Sequence, residues 1–172
     1  LPQTRRFRSS LAKMDLVARV IDDGTQQLLF DHVRNVASAS KRLVDRKQVS
    51  FERLSTTELS EMAHIIGATH DFGKGTTYFQ RYIAPDGDYS GSKKNHASLS
   101  ACFAYYWLRQ RGFEDEIALL GWYVVQRHHG NLTNLFTEGG ELHRKAEDPT
   151  HRELLKTQSE DIVIYTEDAL IE

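Results

Sequence analysis

The sequence predicts an all-α fold, and three observations predict it. Apolar residues recur at i, i+3, i+4 and i+7 along most of the chain, the period of one helix face. Capping residues and glycines punctuate those runs where helices begin and end. The composition of the 172 residues, 40% apolar and 27% charged, is that of an ordinary globular domain able to bury a core.

Leu29, Val33, Val36, Ala37, Leu43 and Val44 mark a first helix with His32 in its first turn. Ser55 and Glu58 have the spacing of a capping box, opening a helix whose apolar face is Leu59, Met62, Ala63, Ile66 and Ala68. That helix runs into His70-Asp71 and is stopped by Gly73 and Gly75. The segment TTYFQRYI predicts a short helix, and PDGDYSGSKK, from Pro85 to Lys94, an exposed loop. Asn95 is placed to cap a helix that starts at His96 and carries Leu99, Phe103, Tyr106 and Trp107. Another helix is predicted from Glu114 to His129, ended by Gly130. Beyond Gly139 the pattern weakens. Thr150 is a candidate cap for a helix over His151 to Lys156, and DIVIYT reads as helix or short strand.

Composition excludes several classes. No apolar run reaches the roughly 18 residues that span a bilayer; the longest, near Ala118 to Val125, contains Gly121. Cys102 is the single cysteine, so neither an internal disulfide nor a cysteine-rich zinc site can form. Its neighbours Ala101, Phe103 and Ala104 predict a buried small hydrophobe. A net charge of −2 is not that of a polycation coating nucleic acid. The opening LPQTRRFRSSLAKM is basic and runs into a predicted helix, and it is brief for a targeting presequence. A start at Leu1 rather than Met suggests a fragment or a processed chain, with flanking domains missing.

The chemistry lies in six positions: His32, the pair His70-Asp71, His96, and the pair His128-His129. Imidazole and carboxylate are natural ligands of borderline divalent metals. Each position falls at a helix end or in a first or last turn, and helix ends can converge on a common point. Adjacent residues lie about 100° apart around a helix, so each pair can reach an ion together only where the helix is ending. Glycines close behind both pairs, Gly73 and Gly130, favour that. His64, His143 and His151 lack such context and read as surface or hydrogen-bonded core residues.

The segments FDHVRNVA, ATHDFGKGTTYFQRYI, KKNHASLSA and QRHHGNL resemble the successive motifs of the HD superfamily of metal-dependent phosphohydrolases. More narrowly, they resemble the HD nuclease domain of the type I CRISPR-associated helicase-nuclease, over about Leu29 to Leu132. The resemblance implies an HD-domain helical bundle with its metal site at converging helix ends, the chain forming one such domain over residues 1–172. It implies a first metal held by His32, His70 and Asp71, and a second by His96, His128 and His129, with Asp71 bridging. Asp71 and Lys74 become the catalytic residues, Lys74 contacting substrate phosphate or the attacking water. The family usually adds an Asp on a late helix to complete the first site. Here Asp161, Asp168 or a residue beyond Glu172 would have to supply it.

Two ions in such a shell activate a water for in-line attack at phosphorus. Imidazole-rich coordination favours manganese, nickel, cobalt, iron or zinc over magnesium, with one or two ions per site. Imidazoles bind as neutral bases, so acidification should empty the site. Lys93, Lys94, Arg127, Lys74 and Arg81 put positive charge beside the ligand segments, and Tyr78, Tyr82 and Tyr89 are candidates for stacking on unpaired bases. The resemblance then implies a cytoplasmic nuclease cutting single-stranded DNA, and RNA as a further substrate, in type I CRISPR interference. Its partners would be a helicase, fused or separate, and the RNA-guided surveillance complex. The competing readings are an HD phosphohydrolase acting on small nucleotides and a helical interaction module with a degenerate site.

Overall fold

The structure, a computed structural model, describes residues 15–49 and 51–162. Its elements are β1 (Val17–Val20), β2 (Gln26–Leu28), α1 (Leu29–Lys47), α2 (Thr56–Thr69), a 3-10 turn (Phe72–Gly75), α3 (Thr77–Ile83), a second 3-10 turn (Ser92–Lys94), α4 (Ala97–Gln110), α5 (Asp115–Gln126), α6 (Leu135–Glu147) and α7 (Pro149–Asp161). The fold is thus helical apart from one small hairpin.

That hairpin replaces the helix expected to follow the basic opening segment, whose residues 1–14 lie outside the described region. β1 and β2 pair antiparallel, and the signal was Asp23-Gly24 between apolar runs. Gly24 takes φ 82°, and Asp23 Oδ1 accepts from the Thr25 amide at 2.8 Å.

α1 buries Leu29, Val33 and Ala37, one stripe at i, i+4 and i+8, while its Leu43 is exposed. The stripe meets α2, which the predicted Ser55–Glu58 capping box opens. The two helices approach so closely that a Cβ on Gly67 would sit 2.7 Å from the Ala37 Cα. Glycine is required there for contact rather than for conformation. Met62 and Ile65 of α2 join Trp107 and Leu108 of α4 and Ala118 of α5 in the main core, while Ala101, Ala104, Trp122, Tyr123 and Val125 knit α4 to α5. Ala18 packs on Leu29 and Val33 beneath the hairpin.

Several boundaries differ from expectation. α4 begins at Ala97 with His96 as its N-terminal boundary residue and no side-chain cap, so Asn95 does not play that part. α5 ends at Gln126, before His128 and His129 rather than after them. α6 runs through Gly139-Gly140, a pair that weakens the helical pattern and hid it. α7 is longer than expected because Asp148, not Thr150, caps it, with Pro149 at its first position. Of DIVIYT, Asp161 ends α7 and Ile162 bridges to Thr76; the remainder lies outside the described residues. Cys102 is exposed on α4 rather than buried, as is Tyr106. Among the described residues no helix is long and apolar enough to cross a membrane.

Candidate metal centre

The six ligand candidates and Lys74 come together at one point. His32 projects from the first turn of α1. His70 is the boundary residue at the C-terminus of α2, and Asp71 begins the 3-10 turn that follows it. His96 precedes the first residue of α4, and His128 and His129 occupy the turn after α5. Ends of four helices therefore meet around Asp71, which is only 1% exposed.

The donors fall into two groups sharing Asp71. His32 Nε2 and His70 Nε2 lie 3.0 and 3.3 Å from Asp71 Oδ2 and 3.1 Å from each other. His96 Nε2 and His128 Nε2 lie 3.1 and 3.3 Å from Asp71 Oδ1, and His129 Nε2 is 2.8 Å from His96 Nε2. Within each group every donor atom lies within 4.8 Å of the others. Ligands of one ion at metal distances of about 2.0–2.2 Å sit roughly 2.8–3.6 Å apart. The spacings match an ion's coordination edges.

Proton bookkeeping leads to the same conclusion. His70 Nδ1–H donates to the Gly67 carbonyl at 2.8 Å and His128 Nδ1–H to the Val125 carbonyl at 2.6 Å. In a neutral imidazole this leaves a bare lone pair on each Nε2. Both lone pairs face Asp71 oxygens across 3.3 Å, acceptor against acceptor. His128 Nε2 and Asp71 Oδ1 are fully buried and have no hydrogen-bond partner among the described residues. While both imidazoles are neutral that arrangement is repulsive; a proton on each Nε2 or a cation between the groups relieves it, and the donor set suits a divalent cation.

Electrostatics keep Asp71, His96 and His129 in binding form. Burial opposes ionisation of Asp71, yet His128, His32, His70 and His96 gathered on it hold its carboxyl well below the usual carboxylate range. Burial lowers His96 against the pull of Asp71. Burial, with His128 and His96 crowding alongside, pushes the His129 imidazole down to about 4.

Lys74 is buried, its Nζ 2.9 Å from Asp71 Oδ2 and donating to the Ala18 carbonyl at 3.2 Å. The hairpin thus fixes the lysine's direction. The turn carrying it is wedged against His96, since a Cβ on Gly73 would lie 2.7 Å from the His96 carbonyl oxygen, and the Gly73 amide donates to buried Ser100 Oγ at 2.9 Å.

Two supporting residues carried no signal of their own in the sequence. Gln80, inside the TTYFQRYI segment, accepts from the Val17 amide at 2.9 Å and donates to the Val17 and Lys74 carbonyls at 3.0 and 2.8 Å. Gln158 of α7, fully buried, donates to the Lys93 and Asn95 carbonyls, both at 2.8 Å, fixing the segment that leads into His96. Its signal was a lone amide on a weakly patterned helix, which no spacing rule singles out.

The candidate late ligand is engaged elsewhere. Asp161 Oδ2 accepts from the Thr77 amide and Oδ1 from the Thr77 hydroxyl, both at 2.7 Å, so it anchors α3 rather than joining the centre. Asp168 lies outside the described residues. His64, His143 and His151 are outside both donor groups. His143 is exposed beside Glu147 at 3.4 Å, while His64 is half-buried with Nδ1 unpartnered among the described residues.

Helices converging on a shared histidine-aspartate cluster that could hold a metal are the arrangement of an HD-type helical domain. The chain matches the family described as Cas3, HD domain, over residues 18–169, and belongs to that family. It is 35% identical over 68 residues to the CRISPR-associated nuclease/helicase Cas3 of Haloferax volcanii, an alignment covering 40% of this chain and 7% of that protein. No solved structure matches it.

Proposed function

We propose that the chain is the nuclease domain of a type I CRISPR interference enzyme, hydrolysing phosphodiesters of single-stranded DNA with divalent transition metals held by His32, His70, Asp71, His96, His128 and His129. The observation that carries this reading is the pair of bare Nε2 lone pairs, on His70 and His128, aimed at opposite oxygens of one buried carboxylate. Bound divalent ions supply a Lewis acid that activates water and stabilises charge on phosphate oxygens.

The chain's own groups prepare the site. Asp71 joins the two donor groups. The Gly67 and Val125 carbonyls lock the tautomers of His70 and His128, so neither imidazole must reorient to bind. Lys74, held by Asp71 and the Ala18 carbonyl, keeps a fixed positive charge at the centre for a phosphate oxygen. The working metal is manganese, nickel, cobalt, iron or zinc rather than magnesium, given the imidazole-rich donors. A cytoplasmic setting, a helicase that delivers the strand and an RNA-guided complex complete the proposal. The relative's description as a nuclease/helicase supports the helicase partner.

Incubating the full chain with manganese or nickel and end-labelled single-stranded DNA tests this directly. Shortened fragments are expected. Turnover of mononucleotides with the polymer left intact would instead favour a small-nucleotide phosphohydrolase. Intact DNA together with no bound metal by elemental analysis would favour an interaction module.

A further inference from the structure

We propose that the cleft beside His96 and His129 is a subsite for one nucleotide of the single strand, its base stacked on Tyr82 and its phosphate paired with Lys94. The inference rests on the nuclease reading and adds where the strand lies. Phe79, Tyr82, Lys94, Asn95, His96 and His129 line the cleft, so it opens directly from the second donor group.

Charge accounting separates Lys94 from the other cations near the centre. Arg81 is tied to both oxygens of Asp88, at 2.9 and 2.6 Å, and Arg127 pairs with Glu141 at 3.3 Å. Beside the first donor group Arg34 pairs with Asp31 at 3.0 Å, and Lys74 pairs with Asp71. Lys93 and Lys94 have no carboxylate at ion-pair distance among the described residues. The uncompensated positive charge on this rim is therefore at these two lysines, and Lys94 is the one lining the cleft.

The aromatic residues sort in the same way. Tyr78 and Tyr89 are half-buried and face each other at 5.5 Å between ring centres, with Lys93 and Arg81 over them at 4.9 and 5.9 Å. Tyr82 is 46% exposed, and the Lys94 ammonium lies 3.8 Å from its ring centre. An exposed cation–π contact contributes about 2- to 5-fold to an equilibrium. Stacking of a base contributes about 5- to 150-fold. A base therefore displaces the ammonium, which is then free for the phosphate of the same nucleotide. Buried Phe79 spans the distance to the centre, 6.0 Å from the Tyr82 ring and 5.2 Å from the His96 ring. A base on Tyr82 thus belongs to a nucleotide flanking the phosphate at the metal donors.

The test compares an oligothymidylate with an abasic oligonucleotide of equal length and charge, both offered to the full chain with manganese, reading KM and direct affinity. The parent should favour the oligothymidylate by about 5- to 150-fold. Tyr82→Ala should reduce that preference to near one by weakening only the base-bearing strand, whereas Tyr106→Ala, on an exposed aromatic of α4, should leave it intact. Lys94→Ala should weaken both strands equally and flatten the salt dependence by about 0.7 in log–log slope. Equal affinity of the parent for both strands, or a preference that survives Tyr82→Ala, overturns the base subsite. An unchanged salt slope in Lys94→Ala overturns the phosphate contact. These failures differ from that of the nuclease reading, in which the parent cleaves neither strand.

Discussion

On one side of Asp71, His32 and His70 come from two helices packed along their length, α1 and α2, and their approach depends on the missing side chain of Gly67. On the other side, His96, His128 and His129 come from backbone between helices, held by Gln158, by the edge of Phe79 and by the Val125 carbonyl. Asp71 Oδ2, facing the first pair, already has the Lys74 ammonium at 2.9 Å, whereas Oδ1, facing the other three, has no hydrogen-bond partner among the described residues. A cation near Oδ2 meets like charge; a cation near Oδ1 meets uncompensated negative charge. The difference teaches that one bridging carboxylate need not make two equal sites, and the second group should bind its ion more tightly.

Asp71→Ala should break the comparison altogether. With the shared anion gone both groups empty, elemental analysis of the purified variant should find no metal, and DNA cleavage should fall to background; metal content and rate equal to the parent would refute the assignment. Acidification is nearly as severe. His96 and His129 are held neutral below the ordinary imidazole range, so protons displace metal from the second group late, and its occupancy should survive at pH 6 and be lost as pH falls toward the His129 value of about 4. Metal titrations across that range decide it, and undiminished activity well below pH 4 would count against the assignment.

Single-ligand variants sharpen the inequality. His128→Ala should lose more affinity for the tight ion than the 10- to 100-fold or so typical of groups that merely orient a ligand, while His32→Ala should keep that ion. Equal losses in calorimetric titration would remove the distinction. Lys74→Gln should raise the first group's affinity about tenfold or more, since the repelling charge is gone, even as cleavage declines. Gln158→Ala has the smallest effect. Two carbonyls lose a buried donor, and thermal unfolding should drop by about 2–8 °C with a few-fold weaker second site.

The candidate donors were legible because adjacent His-Asp and His-His pairs with a glycine close behind stand out against helical periodicity. The helices that carry them were legible for the same reason, since Leu29, Val33 and Ala37 keep strict period on α1. The hairpin was missed because the basic opening segment reads as running into a helix, although Asp23-Gly24 marks a turn. Gln158 and Gln80 were illegible for another reason: a buried amide acts through carbonyls some 60 residues away, 65 in the case of Gln158 with Lys93, and local spacing contains no trace of that. The basic and aromatic residues were read as a set, but only their partners separate Lys94 and Tyr82 from Arg81, Arg127, Tyr78 and Tyr89.

Gln80 has a consequence beyond holding Lys74. Its carboxamide meets the amide and the carbonyl of Val17 as a neighbouring strand would, on the side of β1 that β2 leaves open. A two-stranded ribbon ordinarily offers such a margin to any extended peptide that drifts past, a route to self-association. Here one side chain from α3 stands in the intruder's place, so the same amide group that aligns the centre's lysine also guards the protein's short sheet against growth.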